Sequence, residues 1–242
     1  MATPTITTSG STSLCVGSSV SLIAPSPSPI SSQNPALKLW IDASKYNVSN
    51  GNSLSGVLRD ESSYARSLST DATYETNSIN GHPSIRYNNN QTGTVSAFNT
   101  NQNTYVFTTV QFVAAASNWG SLFYHWNRDA GLTIEQNGIA ANNIYHWQTG
   151  NDNSYCNQTI SFGTTYIMAA KITGGNARTF TLYGDSSGYL KNLGTVTNSS
   201  YTVPVQSGNL YIGKSDAGEY SNMRLGEFLY FRIVYHLVNH PL

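Results

Sequence analysis

The chain has 242 residues, with 12 basic and 12 acidic side chains, and charged residues make up only 10% of it. A neutral, sparsely charged chain has no electrostatic footprint for nucleic acid, and its longest apolar runs are strand-length, so no membrane insertion is predicted. The abundance of Gly, Ser, Thr, Asn and Tyr indicates one large all-β domain of an extracellular or particle-surface protein.

The first 35 residues differ from the rest of the chain. Apolar residues alternate from Thr3 to Ala24, which predicts an N-terminal β arm over residues 1–24, and a Pro/Ser-rich linker follows over residues 25–35. The segment PTITTSGSTSLCVGSSVSLIAP resembles the opening strands of immunoglobulin-like repeats on bacterial surface proteins. Two strands alone are marginally stable, so we expect residues 1–35 to pair with other capsid or surface-protein subunits. The alternative is a flexible tail.

The N-terminal sequence MATPTITTSGSTSLCVGSS has neither a positive n-region nor an apolar h-region, so it does not predict a signal peptide. Either a signal was removed, or the protein reaches the outside by assembling onto a structure such as a virus particle. The two cysteines, Cys15 and Cys156, are far apart in the chain. Both a disulfide between them and two free thiols remain open.

Residues 36–242 read as a succession of strands and polar corners. A strand over 37–44 ends in a polar corner, a second corner covers 57–63, where Asp60 is expected to cap a turn, and a turn enters a strand over 80–87. The segment 225–235 is almost continuously apolar, which predicts a central strand with both faces largely buried. Further strands are predicted over 105–115, 165–172, Arg178–Asp185 and 210–213.

This order of motifs resembles the concanavalin A-like lectin/glucanase superfamily, in its laminin-G-like branch. The segments LWIDAS and NGHPSIRY stand where that branch has LWLDAS and NGKPAVRF, and LYIG is also present. At the second corner, Leu58 stands where the branch usually has Trp. The resemblance covers nearly all of residues 36–235 and implies an antiparallel β-sandwich, a concanavalin A-like jelly roll. It implies no single function, because the fold hosts lectins, hydrolases and adhesive modules.

The acidic residues do not form the pattern that a glycoside hydrolase of this superfamily needs. The glucanases hold their two carboxylates closely spaced on one strand. No glutamate here has an acidic neighbour two or four residues away on a predicted strand, and no G-x-S-x-G elbow occurs. We therefore expect a non-catalytic protein, with a glycoside hydrolase as the alternative.

The most suggestive feature is a set of aromatic residues on a predicted three-stranded meander around residues 119–149. Tyr124 and Trp126 share one strand face, as do Tyr145 and Trp147, and flat rings stack on sugars while polar neighbours bind the hydroxyl groups. The alternative is that these rings fill the core and leave Phe123 and His125 outward. The predicted glycan-binding residues are Tyr124, Trp126, Asn127, Arg128, Asp129, Tyr145 and Trp147.

A calcium site is a weaker expectation. Laminin-G-like relatives bind Ca²⁺ through one or two Asp side chains and loop carbonyls, and Asp152, Asp216 and Glu219 lie in polar loops that fit this description. The alternative, that these three are ordinary turn residues, is favoured by how common Asp is in turns.

Together these features predict a non-catalytic surface module that binds glycans or cell-surface polysaccharide. The expected setting is a virion surface, as a phage decoration or spike protein anchored through residues 1–35, or another extracellular surface. A purely structural capsid or adhesion module without a glycan site is a further alternative.

Overall fold

The structure is a computed structural model. It describes residues 32–98, 104–114, 120–125, 161–169, 171, 208–215 and 218–232 in full, and the backbone of the strands outside these ranges. The chain divides into two units, Met1–Ser31 and Ser32–Leu242. The first unit contains strands β1 (Thr7–Thr8) and β2 (Leu22–Ile23), which pair antiparallel. The division falls within residues 25–35.

The second unit contains two antiparallel sheets. The seven-stranded sheet has the order β12-β11-β10-β9-β16-β7-β4, and the eight-stranded sheet has the order β15-β14-β13-β8-β17-β6-β5, with β3 also paired to β17. The strands are β3 (Leu37–Asp42), β4 (Leu68–Thr70), β5 (Thr73–Ile79), β6 (His82–Tyr87), β7 (Gly93–Val95), β8 (Thr104–Ala114), β9 (Ser121–His125), β10 (Leu132–Asn137), β11 (Ile144–Thr149), β12 (Cys156–Thr159), β13 (Thr165–Thr173), β14 (Arg178–Asp185), β15 (Lys191–Asn198), β16 (Leu210–Ile212) and β17 (Asn222–Arg232).

These sheets form the predicted all-β sandwich. Among the described residues the one helical element is a 3-10 turn, Ala43–Lys45, and no helix there has the length and apolar character needed to span a membrane. Strand side chains alternate between two faces, and each sheet turns its apolar face towards the core. In β8, for example, the core-facing residues are Val106, Val110 and Phe112.

β17 is the central strand, as the apolar run predicted. It pairs with β8 along one edge and with β6 and then β3 along the other. It begins at Asn222, three positions before the predicted start, because the sequence signal of apolar residues is interrupted by Arg224. That arginine remains in the ladder, opposite Arg86 and Gln111. β16 and β17, although neighbours in sequence, belong to different sheets.

The second corner depends on Asp60, whose predicted capping role is confirmed. Its Oδ1 atom accepts hydrogen bonds from the backbone N–H groups of Trp40 (3.0 Å) and Ser62 (2.9 Å). Its Oδ2 atom accepts from the N–H of Arg66 (3.0 Å) and lies 3.5 Å from the Arg66 guanidinium. The Asp60 side chain is fully buried, so one carboxylate joins the corner to the start of the sandwich.

Candidate functional site

A change of strand partner along β17 creates the candidate site. Residues Met223 to Leu225 of β17 pair with β6, whereas residues from Glu227 onwards pair with β3 on the same edge. The changeover is marked by an irregularity between Leu225 and Glu227, where Gly226 adds one residue as a β-bulge. Bulges commonly redirect a side chain next to a functional site. Here the bulge places Glu227 opposite Asp42, the last residue of β3.

A recess of about 400 Å³ opens at this junction, on the face of the eight-stranded sheet opposite the core. Its floor comes from β8, β13 and β17, and the β5–β6 hairpin forms one wall. The hairpin turns through Asn80 and Gly81, which both have positive φ angles, as the Asn-Gly pair predicts for a tight turn. The lining residues are Asp42, Ser44, Ile79, Asn80, His82, Pro83, Thr109, Thr165, Ile167, Gly226 and Glu227.

Two carboxylates share this recess. Asp42 and Glu227 are register partners on adjacent strands, and directly opposite residues have Cβ atoms about 4.5–5.5 Å apart. Asp42 Oδ1 accepts from the Ser44 N–H (2.9 Å) and hydroxyl (2.7 Å), and Glu227 Oε1 accepts from Trp40 Nε1 (2.9 Å). Within the described ranges no donor is bonded to Asp42 Oδ2 or Glu227 Oε2, so each carboxyl group has an oxygen that can accept from a ligand.

The environment of Glu227 differs from that of a surface carboxylate. Burial raises the pKa of Glu227, and the nearby negative charge of Asp42 raises it further, while the hydrogen bond from Trp40 and the charge of Lys45 oppose the shift. A carboxyl group with a perturbed pKa in a recess is a common property of functional sites. The geometry and the electrostatics therefore point to the same residue.

Two further rows of side chains cross the same face on either side of the carboxylates. On one side, Leu229 of β17 stands between its register partners Trp40 and Phe107, which makes an apolar row. Trp40 is half-buried, and the Lys45 ammonium lies 5.6 Å from the centroid of its ring. The Lys45 side chain is exposed, so the ring face beneath it lies at the surface of the protein.

The row on the other side is polar and internally bonded. Arg224 Nε is 2.5 Å from Glu75 Oε2, and Arg224 Nη1 donates to Gln111 Oε1 (2.8 Å). Arg86 Nη2 donates to Asn222 Oδ1 (2.5 Å), and its Nη1 donates to the carbonyl of Met223 (3.1 Å). These arginines hold the strands together beside the recess and do not line it.

The aromatic residues singled out from the sequence lie elsewhere. The predicted meander is present, since β9, β10 and β11 are consecutive neighbours, but Tyr124 is only 2% exposed. Its ring is therefore enclosed by the surrounding protein, and its role in glycan binding stays a prediction. Phe123 and His125 face the core: Phe123 packs against Phe228 at 5.3 Å. The alternative expected these two residues to point outward, but both are fully buried.

The other predicted residues remain predictions. Tyr145 and Trp147 lie on β11, opposite Gln136 and Ile134 of β10, and the structure describes only their backbone. Trp126, Asn127, Arg128 and Asp129 lie outside the described residues.

The proposed calcium ligands are only partly described. Glu219 Oε2 accepts a hydrogen bond from the Ser215 hydroxyl (2.7 Å), and the Ser215 N–H donates to the Glu219 carbonyl (3.0 Å), which is an ordinary turn. Asp152 and Asp216 lie outside the described residues. Among the residues that are described, no three His, Cys, Asp or Glu side chains come together as a metal site, and the calcium site stays a prediction.

The residues that line or flank the recess were missed for a simple reason. Paired acids were expected as neighbours on one strand, whereas Asp42 and Glu227 lie on different strands, β3 and β17. Likewise, Trp40 and its hydrogen-bond partner Glu227 are 187 positions apart in the chain. One signal was present in the sequence: in LKLWID the apolar Leu37, Leu39 and Ile41 occupy alternate positions, and these are the buried residues of β3. Trp40 and Asp42 therefore share the face opposite the core. An aromatic and a carboxylate two positions apart on a strand that ends in a corner could have been selected on that ground.

Comparison with known proteins shows the fold. No protein-family model and no curated protein sequence matches the chain. Among solved structures, it is similar to domain 4 of AbnA, an extracellular GH43 arabinanase from Geobacillus stearothermophilus, in complex with arabinotriose (TM-score 0.55, 11% identity, 81% of this chain and 92% of that one). It is also similar to the binding domain of botulinum neurotoxin DC in complex with SialylT (TM-score 0.54, 13% identity, 84% and 49%).

A third similar structure is a GH54 α-L-arabinofuranosidase soaked with 4-nitrophenyl α-L-arabinofuranoside (TM-score 0.55, 10% identity, 72% of this chain and 46% of that one). The chain therefore spans about half the length of the arabinofuranosidase and of the neurotoxin binding domain. At these identities the likeness shows the β-sandwich fold and nothing finer.

Proposed function

We propose that this protein is a non-catalytic glycan-binding module and that the recess at the β3–β6–β17 junction is its binding site. The observation that carries the proposal is the combination of Asp42 and Glu227 with the solvent-directed ring of Trp40. Ligand sites for sugars combine a few converging polar groups with an apolar surface. The similarity to structures determined with arabinotriose, SialylT and an arabinofuranoside supports the same function.

The polar groups suit a sugar. Ionised carboxylates only accept hydrogen bonds, which matches the hydroxyl donors of a carbohydrate. Thr109, Thr165 and Asn80, also in the lining, can both donate and accept. The recess thus offers complementary partners for several hydroxyl groups on one ring.

A glycoside hydrolase is the second candidate, and the same pair of carboxylates favours it. Retaining glycosidases use two carboxyl groups about 5–5.5 Å apart, and the Cβ atoms of register partners such as Asp42 and Glu227 are about 4.5–5.5 Å apart, so their carboxyl groups can reach this separation. The raised pKa of Glu227 would suit a general acid. Release of reducing sugar on incubation with oligosaccharides, abolished by Glu227→Gln, would establish this activity in place of simple binding.

The binding proposal predicts a specific loss on removing the Trp40 ring. On a glycan array probed with and without Ca²⁺, the folded Trp40→Ala variant should lose binding to the recognised glycans by a factor of about 2 to 10, since an aromatic contact contributes about 0.5–1.5 kcal/mol. The matched control is a Trp126→Ala, Trp147→Ala double variant, which should bind as the original protein does. Loss of binding in the double variant with full binding in Trp40→Ala would move the site to the β9–β11 meander.

We also propose that the protein acts at an extracellular or virion surface and attaches there through residues 1–35. The low charge and the strand-forming composition support a surface setting, and the arm offers strand edges that a neighbouring subunit could extend. Deleting residues 1–35 should abolish co-sedimentation with the particle that carries the protein, while leaving binding at the recess intact. Undiminished co-sedimentation of the shortened chain would refute anchoring by the arm.

A further inference from the structure

We propose that the recess selects neutral oligosaccharides of at least two sugar units, with one unit against Asp42 and Glu227 and the next against Trp40. This inference rests on the proposed glycan-binding function and names the class of ligand. It derives from the order of the three rows of side chains across the sheet face.

The charge of the recess disfavours acidic sugars. Among the described residues that line the recess, Asp42 and Glu227 are acidic, His82 is the one titratable base, and neither Lys nor Arg is present. A uronic or sialic acid carboxylate placed there would face two carboxyl groups of the same sign, and such like-charge contacts cost several kcal/mol at an interface. A neutral ring instead donates its hydroxyl groups to both.

The two neighbouring arginines do not compensate for these carboxylates, and the charge of Lys45 opposes the raised pKa of Glu227 without cancelling it. Arg224 bonds to Glu75 and Gln111, and Arg86 bonds to Asn222 and to the carbonyl of Met223. Their guanidinium donors are therefore directed to the protein itself. Lys45 is the remaining cation at the site, and it lies over Trp40 on the opposite side of the recess.

The spacing of side chains on β3 sets the number of sugar units in the ligand. Trp40 and Asp42 are two positions apart on β3 and lie on the same face, which separates them by about 7 Å along the strand. This spacing suits the adjacent rings of a linked disaccharide. The ion-paired arginine row closes the recess on its other side, so a longer chain would extend over Trp40 and Phe107, which flank the buried Leu229.

The test is calorimetric titration of the full chain with probes that separate charge from length: xylose, xylobiose, arabinotriose, digalacturonic acid and 3′-sialyllactose. We expect xylobiose or arabinotriose to bind at least about tenfold more tightly than either acidic probe, and about 2 to 10 times more tightly than the monosaccharide. Trp40→Ala should remove the advantage of the disaccharide over the monosaccharide, because only the second sugar contacts the ring.

Neutralising either carboxylate should raise the affinity for acidic probes relative to neutral sugars, which a misfolded variant would not do. Glu227→Gln and Asp42→Asn should each weaken binding of neutral sugars but narrow the discrimination against acidic probes, because the repulsion is removed. Glu61→Gln is the matched control, since that half-buried carboxylate pairs with the exposed Arg59 and does not line the recess; it should change neither the affinity for neutral sugars nor the discrimination against acidic probes.

The possible outcomes separate the inference from the function on which it rests. Tighter binding of the acidic probes would overturn the charge selectivity while leaving glycan binding established. Equal affinity for xylose and xylobiose would overturn the second subsite alone. Failure of every probe, together with no binding on the glycan array, would overturn the proposed function itself.

Discussion

Asp60→Ala is expected to lower the free energy of unfolding by about 4 kcal/mol, in the range measured when one partner of a buried ion pair is removed. Three backbone N–H groups, those of Trp40, Ser62 and Arg66, lose their acceptor at once. Buried donors without acceptors carry the full desolvation cost, and the Arg66 guanidinium loses its counter-charge. In a protein of this size the midpoint of thermal unfolding should fall by about 10 °C.

Urea unfolding followed by tryptophan fluorescence measures this effect, and two variants calibrate it. Asp60→Asn keeps one carbonyl oxygen but turns an N–H₂ group towards donors, so about half the loss is expected. Asp71→Ala removes an exposed carboxylate that accepts one backbone hydrogen bond, from Thr92, and should cost about 1 kcal/mol or less. Equal losses for Asp60→Ala and Asp71→Ala would mean that the corner is held by something other than this carboxylate.

Acidification is expected to destabilise the sandwich through His125. This side chain is completely buried, stacked on Phe98 at 4.6 Å, and burial lowers its pKa from 6.5 to about 4. Its Nε2 atom lies 3.3 Å from the Gly208 carbonyl, which can only accept, so Nε2 carries the proton of the neutral ring. Nδ1 then accepts from the hydroxyl of Tyr230, at 3.3 Å.

Proton linkage determines whether stability rises or falls with pH. The unfolded chain binds a proton at His125 near pH 6.5, whereas the folded protein resists protonation until about pH 4. The stability that the neutral ring contributes is therefore fully present above pH 6.5 and is lost as the pH falls towards 4. The total is about 3 kcal/mol, of which about 2 kcal/mol should be lost between pH 7 and pH 5.

Measuring the free energy of unfolding in urea at several pH values between 7 and 4.5 tests this expectation. His125→Gln should be less stable at pH 7 but should show a shallower decline on acidification. His82→Gln, at an exposed position, should decline in parallel with the original protein and controls for the loss of a histidine. If His125→Gln also declines in parallel, the acid sensitivity arises from other groups.

Much of the fold could be predicted because local sequence carries its signals. The continuous apolar run of β17 indicates a strand buried on both sides, the Asn80-Gly81 pair indicates a tight hairpin turn, and Asp60 follows the turn chemistry of a short acceptor side chain. Each of these signals acts between residues that are close in sequence, so it is readable without the third dimension. The order of the motifs then indicates a two-sheet sandwich.

The aromatic site could not be predicted in the same way. The alternation of β9 separates Tyr124 from Phe123 and His125, but it does not say which face the second sheet covers. Packing against Phe228 and Tyr230 of β17 in the other sheet places Phe123 and His125 in the core, and Tyr124 is buried as well. Period two therefore indicates which side chains share a face, whereas burial depends on what packs against that face.

By itself, the sequence determined the class of fold, the central strand, the hairpin turn and the capping of the second corner. Only the tertiary structure decided where the carboxylates meet. Asp42 ends the first strand of the sandwich and Glu227 follows a bulge in the last one, and they become neighbours because β17 exchanges β6 for β3 along one edge. Such a pairing between distant segments is set by strand register, which short-range patterns of residue type do not encode.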